Sequence, residues 1–162
     1  MSASAPELVE GRSAFAARAL EFVGVARLEI VLLSHGLDRA LYGSEGFVDA
    51  VQRFGLNSER ARMLILLNQP QLAARGGHRL VELGRRLPSR IEFRELLPER
   101  IGEAHGECLI VDGRALLVRE SMESLAARCW RDAPTEGRRL REPLMRWWEE
   151  SPPAQELRRL GL

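Results

Sequence analysis

His105-Gly106-Glu107-Cys108-Leu109-Ile110-Val111-Asp112-Gly113 is the stretch on which the fold turns. Cys108, Leu109, Ile110 and Val111 form an unbroken apolar run of strand length, and Asp112-Gly113 is a dipeptide of tight hairpin turns. Ala115, Leu116, Leu117 and Val118 then resume the apolar pattern. The spacing predicts two antiparallel strands, over 108–111 and 115–118, closed by that turn.

Upstream, strands alternate with helices. Residues 28–33 are apolar apart from Glu29 and read as a buried strand, ending at the turn Ser34-His35-Gly36. Ser44 caps a helix running from Glu45 to about Leu56, with Phe47, Val48, Val51 and Phe54 on its apolar face. Residues 62–67 form a second buried strand that Asn68-Gln69-Pro70 terminates. A helix over 78–87 is stopped by Pro88, and Ile91 and Phe93 alternate with charged neighbours in a third strand. Before all of these, Leu8, Phe15, Leu20, Phe22 and Val23 recur at helical spacing, which predicts a helix from Pro6 to Val25. Residues 119–135 are irregular, and a last helix spans Glu136 to Glu150. The fold class expected is α/β, a central, mostly parallel mixed sheet with helices on both faces.

At 162 residues, with 45% hydrophobic and 29% charged residues, the chain is long enough for one domain with a proper core. The expectation is a single domain over 1–162, with 1–6 disordered and 152–162 a C-terminal tail. No apolar run approaches the roughly 18 residues that cross a bilayer, and the N-terminus lacks the pattern of a secretory signal, so a cytoplasmic protein is expected. Cys108 and Cys129 have neither CxxC spacing nor clustered histidines, so buried thiols are expected rather than a metal site, and no cofactor is signalled. All 24 basic residues are arginine. Codon composition accounts for that most simply; a preference for planar, bidentate contacts to phosphate or carboxylate is the functional alternative. Either way, chemistry that needs a lysine is excluded.

The stretch 105–113 resembles the motif of the phospholipase D superfamily: histidine, any residue, lysine, four residues, aspartate. His105 and Asp112 stand at the histidine and aspartate positions, and Glu107 stands where the family has lysine. The order of elements agrees over roughly 27–148. Ser34-His35-Gly36-Leu37-Asp38, Leu41-Tyr42, Gly77-His78-Arg79-Leu80 and Leu87-Pro88-Ser89-Arg90-Ile91-Glu92 further resemble an uncharacterised bacterial domain family regarded as phospholipase D-like. That family is found alone or attached to an acyltransferase domain of the GNAT type, and it generally lacks the intact motif. The resemblance implies one half of a phospholipase D fold.

In the superfamily one histidine attacks phosphorus, a second, from the partner half, protonates the leaving oxygen, and lysines stabilise the phosphoryl charge. Glu107 reverses that charge. At about 4 Å and an effective dielectric near 20, it would repel a phosphodiester anion by roughly 4 kcal/mol. The family's Gly-Ser pair is also replaced, by Arg119-Glu120-Ser121, in which Ser121 is displaced by about one position. His105 and Glu107 share one face of the strand and read most simply as a surface pair; Asp112 reads as a turn residue. Arg119 could supply the missing cation, although a solvated arginine after a strand is the preferred reading. His78 and Arg79 begin a helix, where free N–H groups favour anions, with helix capping as the simpler role. His35 lies past the end of the first strand, where open α/β sheets place ligands.

Three functions follow in order. The first is a catalytically inactive phospholipase D-like binding or assembly module, completed by a symmetric homodimer or by another protein partner. The second is a divergent nuclease or phosphodiesterase that pairs His105 from two chains. The third is a non-catalytic nucleic-acid binder, disfavoured by a formal net charge of only +1.

Overall fold

The apolar runs at 28–33 and 62–67 lie side by side at the centre of a seven-stranded mixed sheet in the computed structural model, which describes residues 5–104, 106–121, 123–124 and 126–158. The strands are β1 (Glu7–Glu10), β2 (Glu29–Ser34), β3 (Arg62–Leu67), β4 (Ile91–Glu95), β5 (Glu107–Val111), β6 (Ala115–Arg119) and β7 (Ala126–Trp130). The helices are α1 (Arg12–Gly24), α2 (Arg39–Tyr42), α3 (Glu45–Asn57), α4 (Pro70–Ala74), α5 (Arg79–Arg86), α6 (Pro134–Glu150) and α7 (Gln155–Arg158), with a 3₁₀ turn at Pro98–Arg100.

The strand order is β1-β7-β6-β5-β2-β3-β4. β2 divides the sheet into two halves. On one side the helical crossovers make β2, β3 and β4 parallel, with Glu29 opposite Arg62 and Met63 opposite Ile91. On the other, the Asp112-Gly113 turn makes β5 and β6 an antiparallel hairpin, and β5 pairs antiparallel with β2. The mixed α/β sheet agrees with expectation. Antiparallel pairs nevertheless outnumber parallel ones, because β7 and β1 both add to the hairpin side.

Alternation along the strands feeds two cores. Ile30, Leu32, Met63, Ile65, Leu109 and Leu117 point to the face covered by α1, α3 and α5, whose Phe15, Phe22, Phe47, Phe54 and Leu80 close it. Val31, Leu33, Ile110 and Leu116 point to the other, where α6 supplies Leu144 and Trp148. Of the tandem tryptophans only Trp148 is fully enclosed; Trp147 packs partly exposed at the edge of that core. The start of α6 lies so close to the hairpin turn that a Cβ on Gly137 would stand 1.9 Å from the Gly113 carbonyl oxygen.

Three parts of the chain depart from expectation. The helix expected from Pro6 begins only at Arg12, because residues 7–10 pair with β7 and Gly11, at φ 87°, turns the chain between the two elements. β7 falls in the stretch expected to be irregular: Ala-Ala-Arg-Cys-Trp has little strand pattern of its own and is held by neighbours on both sides. The stretch read as a tail is packed as far as it is described. Glu95 donates its N–H to the Pro152 carbonyl at 2.9 Å, Ala154 donates to Phe93 at 3.0 Å, and Leu157 is buried. Two prolines end α6, and the extended segment they form lies along the edge of β4. Of residues 1–6, expected to be disordered, 1–4 lie outside the described residues.

Candidate functional site at the carboxyl end of the parallel strands

Ser34 ends β2, Glu107 starts β5 and Arg119 ends β6, so the sheet register alone brings these three side chains to one edge. Gly106 makes the approach possible. Its φ is +87°, and a Cβ there would lie 2.1 Å from the Arg119 carbonyl oxygen. Tyr42 comes from α2, which Asp38 caps by accepting the Ala40 N–H at 2.8 Å. The turn leading to it is fixed by Ser34, whose Oγ accepts the Leu37 N–H at 3.1 Å.

Ser34, Tyr42 and Arg119 converge on the Glu107 carboxylate, which is 1% exposed. Ser34 donates its hydroxyl to Oε1 at 3.3 Å, and an Arg119 guanidinium nitrogen stands 3.1 Å from the same oxygen. The Tyr42 hydroxyl donates to Oε2. Arg119, 11% exposed, also lies over the ring of Phe15 with its central carbon 5.5 Å from the centroid. Burial pushes the Glu107 carboxyl above its ordinary range, against the opposing pull of Tyr42, Arg119 and Ser34. Tyr42 is raised well above its usual value by burial and then by the neighbouring carboxylate.

The expected surface pair between His105 and Glu107 is therefore corrected on the glutamate side. Glu107 is buried, and it can be, because three donors satisfy its oxygens. His105 lies outside the described residues. Arg119 is not a solvated arginine after a strand; it is the counter-ion of Glu107.

Asp112 stands at the other end of β5, about 16 Å from Glu107 along the strand. Its carboxylate accepts the N–H groups of Arg27, Leu28 and Glu29 at 2.9, 2.8 and 2.9 Å, and its φ is 53°. It is a turn residue, as expected, and it also anchors the start of β2. His78 takes the capping role: Nδ1 accepts the Leu80 N–H at 3.2 Å and Nε2 bonds the Leu37 carbonyl at 2.8 Å, so both ring nitrogens face backbone. Burial lowers its pKa, which favours the neutral ring that this pair of bonds requires. Arg79 is exposed at the first turn of α5, His35 is half-buried after β2, and Ser121 is exposed beyond β6, so none of the three joins the Glu107 cluster.

Ser34 and Tyr42 were read from the sequence as a turn and as part of the family resemblance, not as site residues. The available signals were a serine closing an apolar strand and the chain's one tyrosine, and neither has meaning until Glu107 is placed between them. Among the described residues no group of three or more His, Cys, Asp or Glu is placed to hold a metal ion. Burial pushes the Cys108 thiol up to about 12 and Cys129 to about 11, so both are poor nucleophiles. No described helix is long and apolar enough to cross a membrane.

Comparison with solved structures agrees with this architecture. The chain superposes on Nuc from Salmonella typhimurium, a phospholipase D family member, with a TM-score of 0.62 and 15% identity, covering 91% of this chain and 97% of that one. It also superposes on TrmBL2, an archaeal chromatin protein described as showing a novel mode of DNA binding, with a TM-score of 0.63 and 17% identity. That match covers 93% of this chain but 54% of TrmBL2, so the chain spans about half of that protein's length. Identities this low show the fold, which is phospholipase D-like. A search of curated protein sequences found no match. A family model matches residues 11–160, and the chain belongs to the family it describes, a domain of unknown function designated DUF7931.

Proposed function

We propose that this chain is a non-catalytic phospholipase D-like module that binds or assembles with a partner. The observation that carries the reading is the Glu107 cluster: at the motif's lysine position a buried carboxylate is saturated by Arg119, Tyr42 and Ser34. Phosphoryl transfer depends on donors left open for charge that develops in the transition state. Here those donors already hold a carboxylate.

The module is a single domain that works in the cytoplasm, where its two buried cysteines stay reduced. It pairs with a second copy of itself. Nuc, covered over 97% of its length, is a phospholipase D family member built from one unit of this size, which supports a module of one half per chain.

The deciding experiment incubates the purified protein, at high concentration, with bis(p-nitrophenyl) phosphate and with single- and double-stranded oligonucleotides. No turnover is expected. Hydrolysis that disappears in His105→Ala would overturn the reading in favour of a nuclease or phosphodiesterase. Sedimentation of the same sample at tens of micromolar should give a dimer, and a monomer would remove the homodimer from the proposal.

A further inference from the structure

The end of the sheet opposite Glu107 has a different character. Residues 53–90 contain eight arginines against two acidic residues, Glu59 and Glu82, whereas the rest of the chain has 16 arginines against 21 acidic residues. Among the described residues none of those eight arginines forms an ion pair, although ten arginines elsewhere do.

Arg75 and Arg79 flank Gly77 and His78, which bond Arg39 and Leu37 at the Glu107 end, and Arg85 bonds the Leu157 carbonyl; the other five come together at the amino end. Arg62 donates its N–H to Leu28 at 3.0 Å, and Arg90 accepts the Met63 N–H at 2.7 Å, so Leu28, Arg62 and Arg90 stand in a row at the amino ends of β2, β3 and β4. Arg90 Nε donates to the Gly55 carbonyl at 3.1 Å, which places the last turn of α3 beside them. Arg53 is exposed one turn before the end of α3, Arg60 is in the turn before β3, and Arg86 ends α5. Arg27 precedes β2. Two nearby acids are engaged: Arg141 holds Glu29 at 2.6 and 2.7 Å, and Asp112 accepts three backbone N–H groups. Asp49 and Glu82, each one turn before Arg53 and Arg86, and Glu59, beside Arg60, are exposed, and the arginines of this end still outnumber them.

Three aliphatic side chains stand out among these cations: Val25 is 68% exposed, Leu28 58% and Leu56 65%. Val25, Arg27, Leu28, Asn57 and Ser58 line a shallow depression between the α1–β2 connection and the end of α3. Bare guanidinium groups fit carboxylates and phosphates equally. The surrounding features select between them. Among the described residues the exposed large hydrophobic side chains are all aliphatic, and none at this end is a ring on which a nucleic-acid base could stack. A depression, rather than a protruding apolar ridge, also suits an inserted side chain better than a flat bilayer.

We infer that the amino end of the parallel strands is a docking face for an acidic protein segment that carries an apolar side chain. Its carboxylates pair with Arg53, Arg60 and Arg86, and its apolar side chain sits among Val25, Leu28 and Leu56. The inference rests on the binding-module reading and gives that module a face. The hydrolysis assay tests the Glu107 end alone, so either result can fail without the other.

The test is fluorescence anisotropy with a labelled short peptide of alternating glutamate and leucine, run beside an all-glutamate peptide, an oligonucleotide and phosphatidylserine vesicles. The glutamate–leucine peptide should bind best. The triple variant Arg53→Glu, Arg60→Glu, Arg86→Glu should weaken it by about tenfold or more, as loss and reversal of close charge pairs do. Val25→Ser with Leu56→Ser should weaken it by about threefold through lost apolar contact while leaving the all-glutamate peptide unchanged. All five positions are exposed, and circular dichroism checks that each variant stays folded. No peptide binding, or binding indifferent to either set of variants, would overturn the inference. So would binding of the oligonucleotide or the vesicles, abolished by the triple variant, in place of the peptide.

Discussion

At the carboxyl end of β2 one arginine, Arg119, is enclosed with a carboxylate and two hydroxyls, and every polar group of Glu107 has a partner. At the amino end Arg53, Arg60, Arg62, Arg86 and Arg90 have no carboxylate within ion-pair distance among the described residues, and exposed aliphatic side chains stand beside them. The same residue type does opposite work at the two ends. Enclosure turns a cation into a structural element, because a buried charge without its partner is costly. Exposure leaves it available, because a surface charge contributes little to stability and much to association.

The largest expected effect tests the enclosed end. Glu107→Ala leaves Arg119 buried beside Tyr42 and Ser34 without a carboxylate, which should cost about 3–5 kcal/mol and lower the thermal midpoint by roughly 10 °C. Calorimetry of the variant checks this, and a loss near zero would mean that the cluster is not structural. Next in size is a pH effect. Burial raises the Glu107 pKa, so between the ordinary carboxylate range and the raised value the folded chain keeps a proton that the unfolded chain has released. The stability from this group is therefore full below the ordinary range and fades as pH rises through the raised value. Urea midpoints of the wild type relative to Glu107→Gln should fall as the pH rises above the ordinary carboxylate range; a difference independent of pH would contradict the raised value. The smallest effect belongs to the open end. Reversing Arg53, Arg60 and Arg86 should change stability by no more than about 0.5 kcal/mol per site, and a large loss would show that these arginines hold the fold together.

Some of this was legible in local sequence. Asp112-Gly113 specified its hairpin because a tight turn needs only its own backbone conformation, and Asp112 does adopt φ 53°. Ser44 marked the start of α3 for the same reason, accepting the Phe47 N–H at 3.3 Å. Residues 7–10 and 126–130 did not announce themselves as strands, since each is stabilised by pairing with a partner more than a hundred residues away in the case of β1 and β7. The charge reversal at Glu107 was also visible, but its consequence was misjudged: a surface pair was expected where the carboxylate is enclosed.

What the sequence by itself determined is the order of the central strands β2 to β6 and the main helices between them, the phospholipase D-like plan, and the placement of a glutamate where that plan calls for lysine. Those follow from short-range periodicity, turn chemistry and motif spacing. Only the tertiary structure decided what the glutamate means. Tyr42 and Ser34 reach it across 65 and 73 residues of chain, and Arg119 meets it through the hairpin register. Burial and partners set the energy of a charge, and both are properties of the packed fold rather than of the residue.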